Sequence, residues 1–310
     1  MCMSNVFVVP CNSYRQEEVD SAVEKALVGI RLKDIVSNKR ILLEPNVLFG
    51  APPEKCITTH PAVLEAVIKI LKRYNTKIIV GDTPFSDEVI SAFRTAGLLA
   101  VCKRQGVELV NLSSGKYYKF SGSRVLSGIK MTKYLDEVDM VINVPKAKCH
   151  RQMYFTGAMK GVFSLVSGYR KGFLHLKSGT DDNLGEAILD IFNFVKPRLS
   201  IFDAVYGLEG NGPGSNGKPK FAGFISASRD SISLDYVTVK LLGLNPNKTA
   251  LLRSAKRRGQ LNERDIKVRG DIHKINVNFK EPDMISVDVM PKFITRVRRR
   301  LSNIGDIKIE

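Results

Sequence analysis

The sequence lacks what a disulfide framework or a zinc ribbon needs. Its five cysteines are Cys2, Cys11, Cys56, Cys102 and Cys149, no two are spaced C-x-x-C, and none lies beyond position 149. Free thiols in a reducing cytoplasm are the plain reading, and the chain is expected to be cytoplasmic. No run of about 18 apolar residues occurs, so no membrane span is expected. Residues 1–14 show no basic stretch followed by a long apolar one, so no secretory signal is visible. There is no G-x-x-x-x-G-K-[ST] phosphate loop. Gly212 to Gly217 matches G-x-G-x-x-G in letters only. A dinucleotide loop must open a helix, but Lys218-Pro219-Lys220 follows here and a strand comes next.

Acidic residues are in deficit, 31 Asp/Glu against 48 Lys/Arg, for a net charge of +17. Residues 248–310 hold 16 Lys/Arg and 8 Asp/Glu, with clusters at Lys256-Arg257-Arg258 and Arg296-Val297-Arg298-Arg299-Arg300. Such clusters suit nucleic acid or an anionic surface, or are simply a solvated basic face. No groove-reading or aromatic-interleaved motif accompanies them.

What is present is alternation. Val6–Val9, Lys39–Leu43, Lys77–Val80, Glu108–Val110 and Met140–Val144 read as strands. Between them, Glu17–Gly29, Pro61–Tyr74 and Phe85–Ala96 carry apolar residues at helical spacing. Pro61 fits a first helical turn after an N-cap at Thr59 or His60, and Gly97 fits a terminator. Short, nearly continuous apolar strands between helices predict an α/β fold with a mostly parallel sheet flanked by helices. The second half predicts a smaller α/β lobe. Tyr154–Val166 reads as a helix, Ser167–Gly179 as a Gly-rich basic loop and Leu184–Val195 as a helix. Leu199–Asp203 reads as a strand, Gly207–Lys220 as a glycine-rich loop, Gly223–Ser226 as a strand and Ser233–Leu242 as a helix. The expected division is a sheet domain over 1–150, a second lobe over 151–270 and a basic extension over 271–310.

In parallel α/β sheets, ligands sit beyond the carboxyl ends of strands. The strand exits here read Glu44-Pro45-Asn46, Gly81-Asp82-Thr83-Pro84, Pro145-Lys146-Ala147-Lys148-Cys149-His150, and Asp203 followed by Glu209-Gly210-Asn211-Gly212-Pro213. In an extended segment, residues two apart share a face. Lys146, Lys148 and His150 would then line one side, suiting a phosphate or carboxylate, with His150 able to move a proton near neutral pH. Lys160, ten residues further along, joins them as a candidate. Taken alone, the segment reads equally as a solvated lysine-rich loop. Alternation points Cys149 the other way, as a core cysteine. Thr58-Thr59-His60 precedes a helix, whose N-terminus binds anions or is simply capped. Asp82, Asp203, Glu209, Asp230 and Asp235 with His60, His150 or His175 would supply metal ligands, although no fixed spacing marks a metal site. Asp230 and Asp235 also read as a turn residue and a helix-start carboxylate.

The ordered blocks resemble those of the family called domain of unknown function 362. The resemblance rests on Glu44-Pro45-Asn46, Thr58-Thr59-His60-Pro61, Val144 to His150, Thr156 to Phe163, Asp203, Glu209 to Pro213, Ser228-Arg229-Asp230 and Leu234-Asp235. It spans roughly residues 40 to 270. The chain departs from the family pattern in having Glu44 where Lys is usual, and Gly161 where Asn is usual. It lacks the cysteines of the ferredoxin-like segment many relatives carry, so no iron–sulfur cluster is expected. The resemblance implies where a site lies and names no reaction.

The first expectation is an enzyme that binds an anionic small molecule or cofactor. Its catalytic candidates are His150, Asp203 and Glu209. Its ligand-binding candidates are Asn46, Thr58, Thr59, His60, Asp82, Lys146, Lys148, Lys160, His175 and Asn211, with 167–179 and 207–217 as loops over the pocket. The alternatives are a non-catalytic protein whose basic tail docks nucleic acid, and a metal-dependent enzyme. The cofactor and the oligomeric state stay open.

Overall fold

Apolar strands that are continuous rather than alternating need cover on both faces, and the computed structural model supplies it. It describes residues 3–84, 88–168 and 170–285. Strands are β1 (Ser4–Pro10), β2 (Arg40–Pro45), β3 (Lys77–Asp82), β4 (Glu108–Asn111), β5 (Gly115–Lys119), β6 (Gly128–Thr132), β7 (Met140–Val144), β8 (Lys146–His150), β9 (Tyr154–Thr156), β10 (Leu199–Gly210), β11 (Gly217–Ser228) and β12 (Ile266–Arg269). Helices are α1 (Gln16–Val28), α2 (Leu32–Val36), α3 (Pro61–Lys72), α4 (Val89–Thr95), α5 (Leu98–Gln105), α6 (Ala158–Gly161), α7 (Arg170–Lys177), α8 (Asp181–Val195), α9 (Ser231–Leu241) and α10 (Ala250–Arg257).

The main sheet runs β12-β1-β11-β10-β7-β2-β3-β4, with β8 and β9 paired beyond the end of β7. Neighbours from β10 to β4 are parallel, and β11 alone on this path runs against the rest. Ile41, Leu42 and Leu43 are all fully buried. Ile41 and Leu43 join a core with Val19 and Val23 of α1 and Val63 and Val67 of α3. Leu42 joins the opposite core, with Ile188 of α8, Leu234 of α9 and Leu251 of α10. Each such burial stabilises the fold by roughly 1.5–3 kcal/mol. Strands from both halves of the chain share this one sheet: β7 pairs with β10, and β1 lies between β11 and β12.

Three second-half segments differ from the sequence reading. The helix expected over Tyr154–Val166 opens instead with β9, which pairs with β8, and becomes helical only at Ala158. Asp235 decides the start: its carboxylate oxygens accept the N–H groups of Ala158 and Met159 at 2.6 and 2.9 Å. Gly157 is required there, because a Cβ would lie 2.2 Å from an Asp235 oxygen. The expected loop at Ser167–Gly179 contains α7, which buries Phe173 and Leu174, with Gly168 and Gly179 at positive φ on either side. The expected loop at Gly207–Lys220 is mostly hairpin, since β10 runs to Gly210 and β11 starts at Gly217. Gly207 marks a close approach, not a turn: a Cβ would meet the Ala147 carbonyl oxygen at 2.7 Å. Phe85, the expected start of α4, and the cluster Arg296–Arg300 lie outside the described residues. Among the described residues no helix is long and apolar enough to cross a membrane.

Candidate functional site

Pro145 separates β7 from β8 without changing course, so β8 continues beside β10 and sets Lys146 opposite Asp203. Alternation along β8 then gives Lys146, Lys148 and His150 one face and Cys149 the other. All four are buried. Cys149 faces Lys280, and burial raises its thiol to about 12, so it is an inert core cysteine.

The shared face divides into two compartments. In the first, every polar group is answered. Lys146 Nζ lies 3.0 Å from Asp203 Oδ2 and donates to the Tyr14 hydroxyl at 2.6 Å. Tyr14 in turn donates to Asp203 Oδ1 at 2.8 Å. The backbone N–H of His60, at the start of α3, donates to Asp203 Oδ2 at 2.8 Å. The anion at that helix N-terminus is therefore the protein's own carboxylate. His60 Nδ1 caps α3 by accepting from Ala62 N, and its ring stacks on Tyr14 at 3.6 Å. Burial lowers the His60 pKa to about 4, so the ring is neutral.

The second compartment is not closed by its own partners. Lys148 Nζ donates to Asn46 Oδ1 at 2.5 Å and to the Ile57 carbonyl at 2.7 Å, both uncharged. Among the described residues it has no ion-pair partner. Burial, then the Lys160 charge, lowers it to about 7. Lys160, half-buried on α6, sits 5.5 Å from the Phe163 ring centroid and has no hydrogen-bond or ion-pair partner among the described residues. Burial and the Lys171 charge lower it to about 8. Lys171 of α7 donates to the Thr83 carbonyl, and burial lowers it too.

Two carboxyls face these lysines from the ends of β2 and β3. Asp82 accepts from Val47 N and Thr83 N. Glu44 is 1% exposed; its carboxyl oxygens make no hydrogen bond of ordinary geometry among the described residues, and the Ser164 hydroxyl is the polar group beside them. Burial and the Asp82 charge raise Glu44 well above the carboxylate range, and burial raises Asp82 as well. Both shifts run in the direction expected of two buried like charges, which disfavour each other's ionisation. Gly161 leaves room for this carboxyl: a Cβ there would lie 3.2 Å from Glu44 Oε2.

Two imidazoles complete the compartment. Their rings are parallel, with centroids 6.3 Å apart. His150 Nδ1 accepts the N–H groups of Gln152 and Met153, so its proton is on Nε2. His175 Nδ1 is hydrogen-bonded to the Gln152 side-chain amide at 2.6 Å. Burial holds His150 well below its ordinary pKa and lowers His175 to about 3.

Of the residues singled out from sequence, Asn46, Asp82, Lys148, Lys160, His150 and His175 come together in this second compartment. Lys146, Asp203 and His60 form the first. Thr59 joins the two, donating to the Val144 carbonyl and accepting from Asn46 N. Thr58 is buried, and its hydroxyl has no hydrogen-bond partner among the described residues. Glu209 and Asn211 are elsewhere, at the β10–β11 hairpin. Glu209 accepts from Lys280 N and pairs with Lys220 at 3.1 Å, while Asn211 bonds Asp283. Asp230 caps α9. Among the described residues no group of three or more His, Cys, Asp or Glu is placed to hold a metal ion. Sequence reasoning missed Tyr14, Glu44, Gln152 and Lys171. Tyr14 lies outside the strand exits and nothing local marks it, while Lys171 lies in the basic 167–179 segment expected over the pocket, without having been singled out there. Glu44 stood in view at an exit, as the last residue but one of β2.

The basic triplet near the C-terminus is spent internally. The Arg258 side chain, 5% exposed, lies between Glu186 and Asp190, Arg257 pairs with Glu186, and Lys256 pairs with Glu263. Two open hollows, of about 590 and 430 Å³, lie at the opposite ends of the strands, around Arg40 and Lys77 and around Lys39 and Arg198. They hold none of the groups described above. The second compartment is roofed by α7.

The pattern of the family described as "Domain of unknown function (DUF362)" matches residues 41–240. A thylakoid-associated protein of Synechocystis sp. is 32% identical over 221 residues, covering 71% of this chain and 68% of that protein. Among solved structures, the lactate racemase apoprotein from Thermoanaerobacterium thermosaccharolyticum aligns with a TM-score of 0.49 at 12% identity. That alignment covers 76% of this chain and 57% of the other, so the chain spans little more than half of that protein's length. The match over residues 41–240 takes in both compartments, and the chain belongs to the DUF362 family.

Proposed function

We propose that the protein is a cytoplasmic enzyme that binds a phosphate- or carboxylate-bearing small molecule or cofactor at the C-terminal ends of β2, β3 and β7. One observation carries this reading. Lys160 is a half-buried cation with no hydrogen-bond or ion-pair partner among the described residues, only the Phe163 ring, beside Lys148, whose hydrogen-bond partners are uncharged. Buried charge is costly unless answered, and a bound anion would answer both. Lys171 joins them as a third cation. Lys146 is assigned to holding Asp203 and the start of α3 rather than the ligand. His150, whose Nδ1 accepts two backbone N–H groups, presents its Nε2–H, and His175 lies parallel to it at 6.3 Å, a pair of imidazoles suited to proton transfer to and from a bound molecule. The free, buried cysteines Cys11, Cys56, Cys102 and Cys149 suit a reducing compartment. Nucleic-acid docking finds no support in Lys256–Arg258, whose charges are already paired.

The test is thermal stability against inorganic phosphate and against oxalate. A ligand that binds the native state raises Tm with concentration as the site fills. The wild type should show a saturable rise with one of the two anions, and Lys160→Met should lose it. A rise retained in Lys160→Met, or none with either anion, would overturn the reading.

A further inference from the structure

Residues 109–135 hold five Lys or Arg, four Tyr or Phe, and no Asp or Glu. Within them β5 and β6 form a two-stranded antiparallel sheet apart from the main one. Its two faces differ. Ile129 and Met131 are fully buried on one, with Tyr118 packed against the same core. Alternation puts Tyr117, Lys119, Gly128 and Lys130 on the other. Tyr117 stands opposite Lys130, and Lys119 opposite Gly128. The Tyr117 ring lies across the diagonal of this square: a Cβ on Gly128 would meet its Oη at 2.5 Å and its Cζ at 2.7 Å. Glycine at 128 therefore lets the ring lie flat on the strands. The residue is still 49% exposed.

The charges around the ring are unanswered. Lys116 pairs with Asp136, and Lys133 with Glu137. Asp190, beside the β5–β6 connection, is taken up by three backbone N–H groups and by Arg258. The side chains of Lys119, Lys130 and Arg124, the last exposed in that connection, have no hydrogen-bond or ion-pair partner among the described residues. We propose that this face of the hairpin binds single-stranded nucleic acid, with a base stacked on Tyr117 and phosphates held by Lys119 and Lys130. Every base has a π face, so an aromatic ring set among cations takes a single strand with little regard to sequence. A duplex keeps its bases stacked on one another and offers the ring no face. A bilayer is met by aromatics that project, and this one lies down. The surface is separate from the compartment of Lys148 and Lys160 and does not depend on the anion-binding reading.

The experiment follows fluorescence anisotropy of labelled oligo(dT) and oligo(U), each about 20 nucleotides long, with the full-length protein over a range of NaCl concentrations. Binding of either oligonucleotide supports the proposal, and the stronger of the two names the sugar. Each lysine that holds a phosphate contributes about 0.7 to the slope of log affinity against log salt. Lys119→Met with Lys130→Met should therefore make the slope shallower by about 1.4. Lys119→Met alone, at an exposed position, should remove about 0.7 and keeps the test open if the double variant fails to fold. Tyr117→Ala should weaken binding about tenfold with the slope unchanged, and Tyr117→Phe should restore it. Binding to neither oligonucleotide, or binding that the lysine and Tyr117→Ala variants leave unchanged, would overturn the proposal. Preference for a duplex of the same length, or binding to phosphatidylglycerol vesicles in place of the oligonucleotides, would do the same.

Discussion

Lys146 Nζ and Asp203 Oδ2 meet at 3.0 Å with both side chains wholly removed from solvent. The same carboxylate also holds the backbone N–H of His60, the N-cap of α3, and the Tyr14 hydroxyl, so one residue joins β8, β10, the start of α3 and the segment before α1. Asp203→Asn should cost about 3–5 kcal/mol, because it leaves a buried ammonium uncompensated. Urea denaturation would show this as a lower midpoint with an unchanged slope.

Lys148→Met should behave differently. It removes a buried charge that has no ion-pair partner among the described residues, so the variant should hold or gain stability while losing any response to phosphate or oxalate. The gain depends on pH. The folded pKa of about 7 lies below the unfolded value of 10.5, so the unfolded chain binds the extra proton between them. Wild-type stability therefore rises with pH through that window, by up to about 1.4 kcal/mol per unit, and the variant loses this slope. Melts at pH 7 and pH 9.5 would check it; parallel pH curves would contradict it.

Asp235 gives the opposite slope. Burial raises it from 3.8 to about 7 despite the two N–H groups it accepts. A raised folded pKa contributes stability that is complete below the unfolded value and is lost as pH rises through the folded one. Between pH 4 and 7 the loss amounts to at most about 4 kcal/mol. Asp235→Asn should flatten the stability curve over that range, as read by denaturant midpoints at unit pH steps.

Ligand capture should weaken as pH rises. Lys148 and Lys160 lose their protons near about 7 and 8, and with them the attraction for an anion. Phosphate or oxalate affinity, followed by calorimetry from pH 6 to 9, should fall progressively. Affinity that is constant across this range would remove both lysines as the binding cations.

Arg258 offers a control far from the site. It is 5% exposed between Glu186 and Asp190. Arg258→Ala should cost about 3–5 kcal/mol, whereas Lys256→Ala, on an exposed pair, should change stability by less than about 1 kcal/mol. Thermal melts of the two variants would separate them.

Much of this was legible in the chain. Continuous apolar runs such as Ile41-Leu42-Leu43 predicted strands covered on both sides, because a strand with one wet face would alternate. Pro61 and Gly97 bounded their helices through backbone constraints that act locally. The period of two along β8 put Lys146, Lys148 and His150 together before any fold was known. Glycine misled where its role was tertiary. At 207 it admits a neighbouring carbonyl, and at 157 it admits a carboxylate from α9. Neither neighbour is close in sequence.

The sequence by itself determined the sheet class and the face that carries the lysines, since periodicity and backbone stereochemistry are local. Only the tertiary structure decided what each lysine does. Lys146 and Lys148 have the same side chain and the same facing. Their difference comes from Asp203, 57 residues away, which reaches one and not the other. Burial of charge, paired in one case and unpaired in the other, turns one lysine into a brace and leaves the other available for chemistry.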